Sequence, residues 1–201
     1  MTKSGVIAAI VGLVGGVGLA AIVLTGTLPM PSWLTGNSTG TALVGGPFEL
    51  VDHTGAEVTE RDFHGKYMLV YFGFAHCPDI CPSALQVMSA ALDQVGASAD
   101  KIVPIFISVD PERDTPELMA AYVSAFHPRM RGLTGSTESV ASAAKAYRVF
   151  YRKVADPGST SDYTIDHSSI IYLMGPDGRF VTHFTHGTSL DVVTQRLKSL
   201  P

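Results

Sequence analysis

Residues 67–82 read YMLVYFGFAHCPDICP, and the rest of the chain is organised around them. The run from Tyr67 to Phe74 is too short for a globular helix, rich in aromatics, and apolar on both alternating faces. That is the pattern of a strand buried inside a sheet. It delivers Cys77 and Cys81, the only two cysteines among 201 residues, onto a proline-punctuated turn. A thiol pair held out at the end of a buried strand leaves three chemistries open: electron exchange, peroxide attack or metal binding.

Working outward, Pro82 and Ser83 can open a helix, since proline is tolerated in the first turn. Ala84, Leu85, Val87, Met88, Ala91, Leu92 and Val95 then recur at helical spacing, and Gly96 marks the stop. A second apolar strand covers residues 102–109; its Pro104 lacks a ladder donor and belongs near the strand start or on an unpaired side. Thr115, Pro116 and Glu117 form a helix start of hydroxyl cap, first-turn proline and carboxylate, for a helix running to about Phe126. A segment containing Gly132 and Gly135 follows, then Ser136 caps an alanine-rich helix to about Tyr147.

Residues 149–154 read as a strand, and residues 169–174 and 179–184 as a hairpin about the turn 175–178. A last helix spans residues 189–200. Upstream, residues 48–52 and 56–58 make a short hairpin around a turn at 53–55. Strands alternating with crossover helices and ending in a hairpin predict an α/β domain with a mixed sheet and helices on both faces, of thioredoxin-like type. The cysteine loop falls at the carboxyl end of the first crossover strand, where such sheets present their sites.

The N-terminus reads differently. No charged residue occurs from Ser4 to Phe48, and residues 5–24 contain only Gly, Ala, Val, Ile and Leu. Twenty such residues make a helix of about 30 Å, the hydrocarbon thickness of a bilayer. The run exceeds the apolar region of a cleavable signal peptide and lacks a clear cleavage site, so residues 1–24 are expected to form an uncleaved single-pass anchor. Residues 25–44, rich in Gly, Thr, Ser and Pro, are expected to be a flexible tether, with Trp33 at the membrane interface. Residues 45–201 form the soluble domain. Lys3 flanks the run on one side, and no Lys or Arg follows until Arg61. This places the N-terminus in the cytoplasm and the domain in a periplasm-like space. A net charge of −4, a pI near 5.9 and the lack of a basic run argue against a nucleic-acid partner.

Three residues separate Cys77 from Cys81, one more than in thioredoxin-type exchange motifs. With the second cysteine entering a helix, both sulfurs can lie on one face, which permits a disulfide and equally suits two soft metal ligands. The helix N-terminus favours thiolate over thiol. Peroxiredoxins carry a threonine or serine three residues before the reactive cysteine, where this chain has Phe74, which weakens the peroxide reading. A third ligand would come from the seven histidines. His76 points the other way off the strand end, His183 and His186 fall on opposite faces, and His53, His64 and His127 occupy turns and are expected to face solvent. His167 precedes the apolar hairpin strand, a position that faces the cysteine loop in thioredoxin-like folds. Residues 110–116, DPERDTP, follow the second crossover strand; they read equally as a docking site for a partner or as the cap and solvated rim of the next helix.

Three separated motifs, GFAHCPDICP at 73–82, DPERDTP at 110–116 and DHSSIIYLMGPDG at 166–178, together resemble the Sco/SenC family over roughly residues 45–200. The resemblance implies a thioredoxin-like, membrane-tethered copper-binding metallochaperone that matures the binuclear copper centre of cytochrome c oxidase. Its copper ligands map onto Cys77, Cys81 and His167, with one ion per chain as Cu(I) or Cu(II). Soft thiolates select Cu(I), while zinc is the rival metal for such a set. Asp79, between the cysteines, and Asp166, beside His167, are candidates to orient the ligands or tune their charge without binding the ion themselves. Expected partners are the copper-centre subunit of the oxidase, other periplasmic copper carriers and thiol reductants, at the inner membrane. The alternative is a thiol–disulfide oxidoreductase that reduces the oxidase's copper-ligand cysteines through Cys77 and Cys81.

Overall fold

The computed structural model describes residues 43–158 and 162–201. The anchor expected at 5–24 and nearly all of the tether at 25–44 lie outside the described residues. Among the described residues, no helix is long and apolar enough to cross a membrane.

Two short antiparallel strands, β1 (Glu49–Asp52) and β2 (Glu57–Thr59), open the domain. Their turn is pinned by the fully buried Asp52, whose carboxylate accepts hydrogen bonds from Thr54 N at 2.8 Å and Thr54 Oγ1 at 2.6 Å and pairs with Arg131. The strand read from residue 67 spans Tyr67–Gly73 (β3) and is buried at all seven positions. Helix α1 (Ile80–Val95) returns to β4 (Ile102–Ser108), and α2 (Pro116–Ser124) returns to β5 (Arg131–Thr134). Both steps are parallel, as crossover helices require. Pro104 sits third in β4, one position before the pairing with β5 begins at Ile105, so its missing N–H leaves no gap in that ladder.

The cap signals act where they were read. Thr115 Oγ1 accepts from Leu118 N at 3.3 Å to start α2, and Ser136 Oγ accepts from Ser139 N at 3.0 Å to start α3 (Thr137–Ala146). Beyond α3 come β6 (Tyr151–Ala155), β7 (Tyr163–His167), the hairpin β8 (Ile170–Met174) with β9 (Phe180–Thr185), and α4 (Leu190–Lys198). The main sheet runs β2-β1-β5-β4-β3-β8-β9, with β3, β4 and β5 parallel and the rest antiparallel.

Successive side chains of β3 point to opposite faces. Tyr71 stacks with Phe106, which meets Tyr122 of α2, and Gly73 faces Cys81 of α1. On the other face, Phe72 packs on Tyr147 at the end of α3 and on Tyr172 of β8. Helices therefore cover both faces of a mixed sheet, the architecture expected.

Two features depart from the sequence reading. The strand expected at 149–154 forms as β6, but it pairs with β7 in a separate two-stranded ribbon outside the main sheet. Its exposed Arg152 and Lys153 would face the apolar layer in a central sheet position. The third parallel strand is instead β5, whose four residues carry no strand signal. Gly132 explains the silence: a Cβ there would stand 3.0 Å from Val123 and 3.2 Å from Met119, so α2 presses on bare backbone. Replacing Gly132 by valine is expected to destabilise the domain by about 1–3 kcal/mol through overpacking. Urea unfolding checks this, as a lower midpoint at unchanged slope.

Candidate metal centre

The loop after β3 carries Cys77, and α1 begins at Ile80 with Asp79 as its N-cap. The helix thus starts two residues before the expected Pro82, which places Cys81 inside the first turn with Pro82 third. A first-turn N–H has no intrahelical acceptor. That of Cys81 points at Cys77 Sγ, 3.4 Å away. Cys77 is half-buried, Cys81 is fully buried, and both are free thiols. Gly73 makes room for them: a Cβ at that position would lie 2.7 Å from Cys81 Sγ. Any other residue there would push the sulfur out of place.

His167 ends β7 and sets Nε2 3.4 Å from Cys81 Sγ. Phe74 and Tyr71 hold the imidazole edge-on, with ring centroids at 5.8 and 6.0 Å. Its Nδ1 lies 3.3 Å from the Ser168 carbonyl. In the metal-free centre an N–H of His167 donated to the Cys77 sulfur stabilises the thiolate; with the proton on Nδ1 and donated to the Ser168 oxygen, Nε2 would present the bare lone pair that a ligand requires. Cys77, Cys81 and His167 bring their ligand atoms within 4.8 Å of one another, the one such cluster among the described residues.

The spacing suits a small ion. With metal–sulfur bonds of about 2.3 Å and metal–nitrogen bonds of 2.0–2.1 Å, donors in a trigonal plane stand roughly 4 Å apart. Closing the three atoms on one ion therefore needs sub-ångström to ångström shifts in a cleft already lined by Phe74, Cys77, Asp79, Ile165 and His167.

The two thiols share their protons unequally. A hydrogen bond from the Cys81 side chain, joined by His167 and by the backbone of Cys81 and Asp79, pulls the Cys77 thiol down to about 4. The negative sulfur of Cys77 and burial together push the Cys81 thiol up. The metal-free centre at neutral pH is thus a half-exposed thiolate accepting from a buried thiol.

The other candidates are placed as follows. Asp79 and Asp166 line the cleft, yet neither carboxylate touches a ligand side chain. Asp79 accepts from Ser83 Oγ at 3.3 Å, and Asp166 turns to Arg152 at 3.3 Å. His76 points away toward Asp114, 3.7 Å distant. His127, expected in solvent, is buried: its Nδ1 accepts from Arg129 N at 3.1 Å and its Nε2 lies 3.6 Å from Asp93. In the DPERDTP segment, Asp110 and Asp114 are fully buried and form no solvated rim. Asp114 accepts from Ser108 Oγ at 2.6 Å and from Ala75 N at 2.9 Å, so it fastens the backbone just ahead of Cys77. The sequence placed this segment at the end of a parallel strand beside the cysteine loop but carried no mark that its carboxylates are buried.

A sequence profile of the SCO1/SenC family matches residues 36–200. The chain belongs to the SCO1/SenC family. Among SCO1/SenC proteins, it is 46% identical over 160 residues to the mitochondrial protein SCO1 homolog 1 of Arabidopsis thaliana, covering 79% of this chain and 47% of the relative. The chain spans about half the length of the relatives it matches at this level. It superposes on Bradyrhizobium japonicum ScoI with copper bound at a TM-score of 0.71 and 46% identity, over 77% of this chain and 98% of that one. A more distant structure is BsSco, a member of the Sco family of cytochrome c oxidase assembly proteins in which a disulfide switch was identified. It aligns at a TM-score of 0.60 and 27% identity over 78% of this chain and 92% of its own.

The proton arrangement sets a reactivity that ordinary thiols lack. In the reduced, metal-free protein, alkylation of Cys77 by iodoacetamide is expected to stay near its plateau from pH 8 down to about 5.5. It should fall only as pH drops through the Cys77 pKa of about 4. An ordinary thiol would slow about tenfold per pH unit over the upper range. Cys81→Ala, which removes the donor, shifts the Cys77 midpoint upward, and peptide mass spectrometry reads both.

Proposed function

We propose that this chain is a copper metallochaperone that binds one ion through Cys77, Cys81 and His167 and passes it to the copper-centre subunit of cytochrome c oxidase. The observation that carries this reading is the convergence of two sulfurs and one imidazole nitrogen within 4.8 Å on an open cleft. Two thiolates and one imidazole are a soft set that holds Cu(I) three-coordinate, and an added weak ligand or water accommodates Cu(II). Supporting it are the copper-bound relative at 46% identity and the assembly role of BsSco.

A delivery protein must also release its cargo. Cys77 and His167 lie half-buried along the cleft, while Cys81 is buried behind them. An incoming ligand from a partner would replace one of these two accessible donors first and draw the ion outward from the buried Cys81 sulfur.

In this reading residues 1–24 anchor the protein in the inner membrane with the N-terminus cytoplasmic, residues 25–44 tether it, and residues 45–201 carry copper in the periplasm. The uncharged run at 5–24 supports the anchor. Thiol–disulfide exchange by the same cysteines is the competing use, and it makes no demand on His167.

Anaerobic copper titration of the reduced full chain in mild detergent tests the reading, followed by transfer to the metal-free oxidase subunit. One Cu(I) per chain is expected, abolished by Cys77→Ser or Cys81→Ser. His167→Ala should weaken binding about 10–100-fold and stop transfer while leaving any disulfide-reducing activity in place. Undiminished copper affinity in His167→Ala, or zinc held more tightly than Cu(I), would overturn the three-ligand copper site.

A further inference from the structure

His167 and the two cysteines come from different sheets. The cysteines follow β3 at the centre of the main sheet, while His167 ends the β6–β7 ribbon, which shares no ladder with it. Besides the two-residue link from His167 to β8, which pairs with β3, the distance between nitrogen and sulfurs therefore depends on what fixes the ribbon to the domain. Alternation along β7 puts Tyr163, Ile165 and His167 on one face. Ile165 is buried, so that face is turned inward. Tyr163 and His167 occupy its two ends, roughly 13 Å apart at about 3.3 Å per residue.

Tyr163 is held by the loop between β4 and α2. Its hydroxyl donates to Asp110 Oδ1 at 2.9 Å. The Arg113 guanidinium lies 4.0 Å from the centre of its ring, ion-pairs with Asp110, and reaches the Tyr163 carbonyl at 3.4 Å. On the neighbouring strand, Lys153 Nζ pairs with Glu112 at 2.6 Å and lies 4.5 Å from the same ring. The other side of Arg113 faces Phe74 at 5.8 Å, and Phe74 in turn meets His167 edge-on. The same loop grips the cysteine segment through Asp114 and Ala75 N. One loop is thus bonded to both halves of the centre.

We infer that Asp110, Arg113 and Tyr163 form a brace that sets His167 against the cysteines, making them positioning residues of the metal centre. This rests on the three-ligand reading above. It assigns DPERDTP a task that neither a partner-docking site nor a helix rim would describe. The brace consists of a buried carboxylate, a planar cation and an aromatic ring. Lysine in place of Arg113 keeps the charge but loses the stacking plane and the forked donor.

The test is a double-mutant cycle on Cu(I) affinity, read by competition with a chromophoric Cu(I) chelator on the reduced full chain. Tyr163→Leu removes ring and hydroxyl; Arg113→Lys is the milder second variant should the first fail to fold, with thermal melts as the control. Each is expected to weaken Cu(I) binding about 10-fold or more in the His167 protein and by less than about twofold in the His167→Ala background. In the metal-free protein, NMR contacts between the His167 and Phe74 rings should be lost in both variants. Equal losses in the two backgrounds, or unchanged affinity with the ring contacts intact, would overturn the brace. If wild type and His167→Ala bind copper alike, the three-ligand reading fails by itself. The metal-free ring contacts then decide whether the brace still sets the histidine: kept in the variants, it does not; lost, it does.

Discussion

A gap of 3.4 Å between an imidazole nitrogen and a buried sulfur joins two pieces of backbone that share no hydrogen-bonded ladder. Everything else in the site serves that approach. Cys81 is fixed from below, because β3 is wholly buried and Gly73 leaves the sulfur just enough room. His167 is fixed from the side, by the edges of Phe74 and Tyr71 and by a backbone carbonyl at Nδ1. Both supports are buried and packed, so the three candidate donors already stand within 4.8 Å of one another and would close on an ion with only small shifts.

The buried carboxylates explain how the supports hold together. Placing Asp110 and Asp114 out of water is costly unless their oxygens are paired. Arg113 and Tyr163 satisfy Asp110, while Ser108 and Ala75 both bond Asp114 Oδ2 and leave Oδ1 without a hydrogen bond, its nearest polar neighbour being His76 at 3.7 Å. Burial still pushes the Asp114 carboxyl up, with the hydrogen bonds from Ser108 and Ala75 opposing it. What is gained is directional contact between loops that apolar packing alone would leave free to slide, since dispersion and burial are not directional.

Electrostatics within the pair of cysteines follows the same logic of unequal placement. The helix start offers its orphan N–H to the outer sulfur and none to the inner one. The larger share of the difference comes from the Cys81 thiol, which donates to the outer sulfur and holds the Cys77 thiol well below the usual range, while that negative sulfur and burial push the inner thiol up. In the proposed copper site, a soft cation entering the cleft would meet a thiolate first, and binding the second sulfur would require that sulfur's proton to leave.

Much of this was legible from residues alone. Periodicity and caps located β3, α1, α2, α3, the β8–β9 hairpin and α4, because burial on alternating or helical faces leaves its mark on neighbouring positions. The spacing of Cys77 and Cys81 and the resemblance of three motifs pointed to the three residues that the structure brings together as a candidate ligand set. The four-residue β5 was silent because its contribution is the absence of a side chain at Gly132, and the ribbon β6–β7 was misplaced because a strand's pattern does not say which sheet it joins. Likewise, nothing local in DPERDTP distinguishes a solvated cap from a buried clasp. By itself, then, the sequence determined which segments are strands and helices and which residues carry soft donors. The tertiary structure set the 3.4 Å approach of the expected histidine, 86 residues beyond Cys81, and it alone decided that Asp110, Arg113 and Tyr163 lie between the two sheets. Those contacts depend on how separate elements pack, and that information is spread across the whole core rather than written at any one position.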